Sequence, residues 1–318
     1  MKNILLLIVF SLVALGGRAQ QLLVAKDGTG KFTTVQAALD AVPLNSKTVT
    51  TIFIRKGTYK EKLNLGKKKN KVKLIGEDLM TTILQFDDYN GLKSSEGAEP
   101  LGTSEASAFR VYGNEFSAEN ITFENPAGLQ GQAPAMWVYG DRAKFVNCRF
   151  LGFRDTLYIN GYGSRQYYKN CYIEGTTDFI LGAGTAWFED CTLYCKAGGT
   201  CLAAPSTPDS VTYGFVFNRC KITGDAPKDS YFLARPWKPA GKTVLLNCEL
   251  GELVQPKGWD HWGKESNKQD AFFGEYKSTG PGAAPKQRTR WSRQLTPEQA
   301  AFYTPVSAFR GWDPTTLE

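Results

Sequence analysis

A four-residue unit recurs six times along the chain: Asn120-Ile121-Thr122-Phe123, Asn147-Cys148-Arg149-Phe150, Asn170-Cys171-Tyr172-Ile173, Asp190-Cys191-Thr192-Leu193, Arg219-Cys220-Lys221-Ile222 and Asn247-Cys248-Glu249-Leu250. Successive units start 27, 23, 20, 29 and 28 residues apart. Each reads polar, apolar, variable, large apolar. This alternation of period two sets the second and fourth positions on one side of a strand. Helical repeats usually run longer and carry a 3.6-residue pattern, which these units lack. One short strand per repeat fits a β-solenoid, in which each coil hides its apolar face only by stacking on its neighbours.

Five of the seven cysteines fall at the second position of the unit. A buried column of free thiols packs there as small apolar side chains do; disulfides between rungs are the alternative. Cys195 and Cys201 lie outside the register, six residues apart, and are the pair placed to bridge. A single histidine argues against a zinc site.

A solenoid needs capped ends. Thr33 to Val42 has helical spacing and stops at Pro43, and Thr296-Pro297-Glu298-Gln299 has the pattern of a capping box with proline at the first helical position. Both are expected to cover the first and last coils. The Gly-, Pro-, Lys- and Ser-rich stretch from Gly263 to Arg290 reads as a long surface excursion. No linker divides the chain, so residues 21–318 are read as one domain. Residues 1–20 are read as a signal peptide, with Lys2, the apolar run Ile4 to Leu15, and small residues around Gly17 and Ala19. No later stretch approaches the ~20 apolar residues of a membrane span. Without Lys2 and Arg18, the remaining basic residues of the 38 exceed the 31 acidic ones by five, for a charge of about +5 at pH 7. The basic stretch Gly66 to Lys71 lacks the interleaved aromatics of a nucleic-acid groove and reads as an exposed turn. An exported, soluble monomer, binding neither nucleic acid nor membrane, is the expectation.

Asp155 and Asp178 are 23 residues apart, as are Cys148 and Cys171. In-register coils then bring the two carboxylates to equivalent places on adjacent rungs, about 4.8 Å apart in the stacking direction. Two such groups cannot both ionise cheaply, so one pKa rises while the other stays low. That split suits an acid/base working beside a nucleophile. A Ser-His-Asp hydrolase is disfavoured, because His261 is the only histidine and no Gly-x-Ser-x-Gly elbow occurs.

Five ordered segments, Gly57-Thr58-Tyr59-Lys60-Glu61, Gln132-Ala133-Pro134-Ala135-Met136, Gly152-Phe153-Arg154-Asp155-Thr156-Leu157-Tyr158, Asp178-Phe179-Ile180-Leu181-Gly182 and Arg235-Pro236-Trp237, resemble the motifs of the pectin methylesterase family. The resemblance runs from about Val24 to the C-terminal cap. It implies an all-β fold, a right-handed single-stranded parallel β-helix, and hydrolysis of galacturonate methyl esters in pectin, an acidic polysaccharide, with no metal or organic cofactor required. It also implies Asp178 as nucleophile, Asp155 as acid/base, Gln132 as oxyanion donor and Arg235 as the partner of Asp178. Trp237 is then expected to line the sugar groove, with Arg154, Tyr158, Phe153, Trp259 and Thr103 as further substrate-binding candidates, whereas Tyr59 and Glu61 look structural.

One departure stands out. Arg154 occupies the position where the family usually has glutamine. Its charge is expected to lower the pKa of Asp155, and it is free to turn outward to a galacturonate carboxylate. Ala234, where glycine often precedes Arg-Pro-Trp, is expected to have little effect. Other readings stay open: a catalytically silent β-helix that binds acidic polysaccharide, an esterase or thioesterase with another acyl substrate, and a pectate lyase or polygalacturonase. The last is disfavoured by the slight acidic cluster Asp87-Asp88. Asn120-Ile121-Thr122 is a formal glycosylation sequon.

Overall fold

The computed structural model describes residues 20–93 and 95–316; the signal peptide expected at residues 1–20 lies almost wholly outside the described residues. Strands assemble into three parallel sheets of eleven, seven and eight strands, visited in turn by each coil. One coil shows the pattern: Ala143–Val146 joins the eleven-stranded sheet, Arg149–Leu151 the eight-stranded and Leu157–Ile159 the seven-stranded, before Arg165–Lys169 returns to the first. The architecture is a parallel β-helix. No helix among the described residues is long and apolar enough to cross a membrane.

Inside, like stacks on like. Phe145, Tyr168, Phe188 and Phe217 occupy successive coils of the eleven-stranded sheet, with ring centroids 4.9, 4.8 and 4.6 Å apart. These spacings match the distance between parallel strands, so each ring lies flat on the next. Beside this ladder run Cys148, Cys171, Cys191, Cys220 and Cys248, all buried and free. Each thiol donates to a backbone carbonyl of the preceding coil at 3.3 to 3.7 Å, which satisfies its one weak donor in an apolar interior. Burial pushes the Cys148 thiol up to about 12. Cys195 and Cys201, expected to bridge, are also buried and free. Cys195 ends a strand of the eight-stranded sheet and Cys201 begins one of the seven-stranded sheet, so the turn between them separates their sheets.

The repeat unit is a corner as well as a strand. Its first residue (Asn120, Asn147, Asn170, Asp190, Arg219 or Asn247) has φ between 51° and 57°. This left-handed bend turns the chain from the eleven-stranded to the eight-stranded sheet, a conformation that Asn and Asp tolerate better than most residues. The inward cysteine follows at once, and the strand begins at the third position.

The N-terminal helix, Val35–Asp40, forms as expected with Thr34 as its cap. Glu61 completes the cap from the next coil, its carboxylate accepting from the otherwise unpaired N–H groups of Val35 and Gln36 at 2.9 Å. Glu61 and Tyr59, whose Oη donates to the Arg55 carbonyl, are structural as anticipated.

Two expectations at the other end are corrected. The capping box at Thr296 and Gln299 forms, but helices Pro297–Ala301 and Pro305–Ala308 lie against the outer face of the eleven-stranded sheet. Ala300, Ala308 and Phe309 pack there on the outward side chains Tyr167, Trp187, Val216 and Val244. The segment 263–290 is only partly an excursion. Phe272–Tyr276 pairs with Lys242–Leu246 and adds a further coil. The buried ion pair between Glu275 and Arg288, at 2.6 Å, fastens that coil, as Arg288 also donates to the carbonyls of Gln255, Pro256 and Gly282.

Candidate active site

The seven-stranded sheet carries the polar cluster on its outer face. Leu157 pairs with Ile180, so register places Asp155 and Asp178 on adjacent coils as their spacing requires. Asp155 sits in the turn before its strand with φ of 66°, and its N–H donates to the Thr177 carbonyl. Asp178 has φ of 54°, at a register shift between Thr177 and Ile180. An irregularity of this kind re-aims a side chain out of the regular alternation. Both carboxylates are nearly buried.

Arg235 reaches Asp178 from two coils further along, because the strand just before it, Phe232–Ala234, pairs with Cys201–Pro205. Its Nε donates to Oδ1 at 2.9 Å and its Nη2 to Oδ2 at 2.6 Å, a bidentate grip on the carboxylate. The guanidinium lies 4.0 Å from the ring centre of Trp262, which holds its plane. Asp155 has no such partner. Burial, then the Asp178 charge, push its carboxyl up to about 8, against smaller opposing pulls from Arg154 and Arg235.

Arg154 does pull the Asp155 pKa down as expected, but burial and the Asp178 charge outweigh it. The Arg154 guanidinium is half-exposed, with its Nε 3.8 Å from Asp155, and water screens much of its field. Desolvation of the buried carboxyl dominates instead.

The two aspartates open into a cavity of about 440 Å³, lined also by Thr103, Gln132, Arg154, Tyr158, Trp237 and Trp262. Such a donor set matches acyl transfer: one carboxylate held by a cation, one carboxyl retaining its proton near neutrality, and an amide at the rim. The family model described as Pectinesterase matches residues 21–311. The chain belongs to the pectinesterase family.

Among curated pectinesterases, Pectinesterase 31 of Arabidopsis thaliana is 38% identical over 285 residues, covering 88% of this chain and 89% of its own length. The chain spans about half, 48%, of the Pectinesterase/pectinesterase inhibitor of Brassica campestris that it also matches. Pectin methylesterase from carrot superposes with a TM-score of 0.83 at 30% identity, over 92% of this chain and 94% of that one. A pectin methylesterase solved in complex with a hexasaccharide gives 0.83 at 31%, over 93% and 98%.

Not every residue suggested by the pectinesterase resemblance reaches the cavity. Trp259 is buried in the core, stacked on Phe273 at 4.9 Å. Phe153 lies outside the lining, its ring covered by the Lys196 ammonium at 3.7 Å. Trp237 is exposed at the rim, edge-on to Tyr158 at 6.0 Å. Thr103 does line the cavity, and its Oγ1 accepts from Asn90 Nδ2 at 2.9 Å. Sequence reading overlooked two participants, Asn90 and Trp262. The tryptophan belongs to Trp259-Asp260-His261-Trp262, where only the packing of Trp259 on the unrecognised last coil shows which ring faces outward.

Proposed function

We propose that this chain hydrolyses the methyl esters of galacturonate units in pectin, releasing methanol and leaving pectate, with Asp178 and Asp155 as the working carboxylates. The observation that carries this reading is their asymmetry: Asp178 is bound bidentately by Arg235, while Asp155 keeps its proton to about pH 8.

Asp178 attacks the ester carbonyl, and the developing oxyanion takes a hydrogen bond from the Gln132 amide. As the tetrahedral species collapses, the C–O bond to methoxide breaks and the Asp155 carboxyl protonates the leaving group to methanol. An anhydride between Asp178 and the galacturonate remains. Asp155, now a carboxylate, takes a proton from water, which adds to the acyl carbonyl. Collapse frees the Asp178 carboxylate and a galacturonic acid, and Asp155 again holds its proton. Water is the only co-reactant.

Trp237 and Tyr158 offer apolar faces to sugar rings, and Arg154 offers a half-exposed guanidinium to a galacturonate carboxylate. The hexasaccharide held by a structural neighbour supports an extended polymeric substrate. A polymer of that kind lies outside the cell membrane, so the reading includes export, directed by the apolar run from Ile4 to Leu15.

Methanol release from highly methylated pectin, with chain length followed in parallel, tests the proposal. Methanol without shortening of the chain is expected. Binding without methanol would identify a silent polysaccharide-binding β-helix, and cleavage of small esters or thioesters alone would identify a different acyl substrate.

A further inference from the structure

Gln132 can serve an oxyanion only if its amide presents nitrogen rather than oxygen to the reacting carbon. The terminal torsion of glutamine is broad and roughly two-fold, so the side chain itself does not choose between them. Asn90, in the chain before the cavity, makes three hydrogen bonds that bear on this choice. Its backbone N–H donates to the Gln132 carbonyl at 2.8 Å. Its side-chain Nδ2 donates to Gln132 Oε1 at 2.9 Å and to Thr103 Oγ1 at 2.9 Å.

We infer that Asn90 is a positioning residue that holds the Gln132 amide with its oxygen turned away from the acyl carbon and its nitrogen free to donate. Thr103 Oγ1 accepts the second Nδ2 proton, so both donors of Asn90 are committed. If the Asn90 amide turned over, two oxygens would face each other between residues 90 and 132. Recovery from that repulsion would rotate Gln132 Oε1 towards the developing negative charge. Asn90 touches neither substrate nor Asp155 and acts only through Gln132. The inference rests on the reading of Gln132 as the oxyanion donor.

The test is a double-mutant cycle on methanol release from methylated pectin, with kcat and KM measured separately. Asn90→Asp keeps the shape but only accepts, so it binds Gln132 Nε2 and reverses the amide. It is expected to lower kcat about 100-fold, the order seen when an oxyanion donor is removed, with KM little changed. Asn90→Ala removes the clamp without imposing the wrong orientation, and a loss of roughly tenfold is expected, as for one hydrogen bond. In a Gln132→Ala background, Asn90→Asp is expected to cost less than about threefold, because nothing remains to orient. Equal losses with and without Gln132, or losses that follow a lowered Tm, would assign Asn90 a structural or purely electrostatic role and overturn the inference. Wild-type kcat in Asn90→Asp beside a slow Gln132→Ala would overturn the inference alone. Wild-type kcat in Gln132→Ala would overturn the oxyanion reading and this inference with it. Should Asn90→Asp fail to fold, Asn90→Ala in both backgrounds supplies the same cycle.

Discussion

Arg235 holds Asp178 through two parallel hydrogen bonds, 2.9 and 2.6 Å, across coils that lie 57 residues apart in the chain. The grip fixes where the carboxylate points as well as its charge. Lysine would supply the charge as a single point without the planar fork. Arg235→Lys is therefore expected to fold and bind polymer but to lose kcat by roughly 100-fold, with a smaller change in KM. Arg235→Ala leaves Asp178 nearly buried and uncompensated, and truncation of a buried pair costs about 3–5 kcal/mol. A fall in Tm is expected for Ala and little for Lys, measured by thermal melts.

The raised Asp155 pKa makes two pH predictions. In the proposed mechanism Asp155 carries its proton to release methanol, so kcat is expected to hold from pH 5 to 7 and to fall above about pH 8. Stability has a matching sign. The folded value, about 8, lies above the ordinary 3.8, so the native state binds the extra proton between those values and loses stability as pH rises through that window. Asp155→Asn removes the ionisation. Its Tm is expected to exceed that of the unmutated chain, with a gap that widens from pH 4 to pH 8. A constant gap would place the proton elsewhere.

Arg154 lies close enough to pull the Asp155 pKa down a little and far enough out to meet a substrate carboxylate. Arg154→Gln is expected to remain active, to shift the alkaline limb of the pH profile upward by less than about one unit, and to lose preference for partly demethylated over fully methylated pectin. Rates on the two substrates across pH 5 to 8 decide this. Activity seen only in the variant would contradict the tolerance of arginine at this position.

The cysteine ladder is chemically silent while the helix is folded. All seven thiols are free and buried. A thiol-reactive chromogen is expected to find none in the native protein and seven per chain in denaturant without reductant. Five would indicate that Cys195 and Cys201 bridge after all.

Much of this was legible in the sequence because a parallel solenoid keeps its offsets. A separation of 23 residues between Cys148 and Cys171 fixed the same separation between Asp155 and Asp178, and in-register pairing converted it into proximity. Arg235 came from resemblance, since its reach to Asp178 depends on a bend after the strand that no spacing encodes. Where coils are irregular, offsets carry no information. Asn90 meets Gln132 across 42 residues of unequal loops, and no repeat position flags it. Phe272–Tyr276 was hidden in a stretch whose Gly and Pro content masked a strand with a buried centre, and with it went the last coil that buries Trp259. The helices after Thr296 announced their caps but not their destination, because the outer-face side chains that receive them come from four separate coils.

The most direct measurement is methanol release from highly methylated pectin at pH 6 by the unmutated chain, Asp178→Asn and Asp155→Asn, with folding checked by thermal melts. Release by the unmutated chain that falls at least about 1,000-fold in both folded variants, with polymer length unchanged, is the expected result. Release that survives Asp178→Asn would contradict a nucleophilic role for that carboxylate and with it the two-aspartate mechanism.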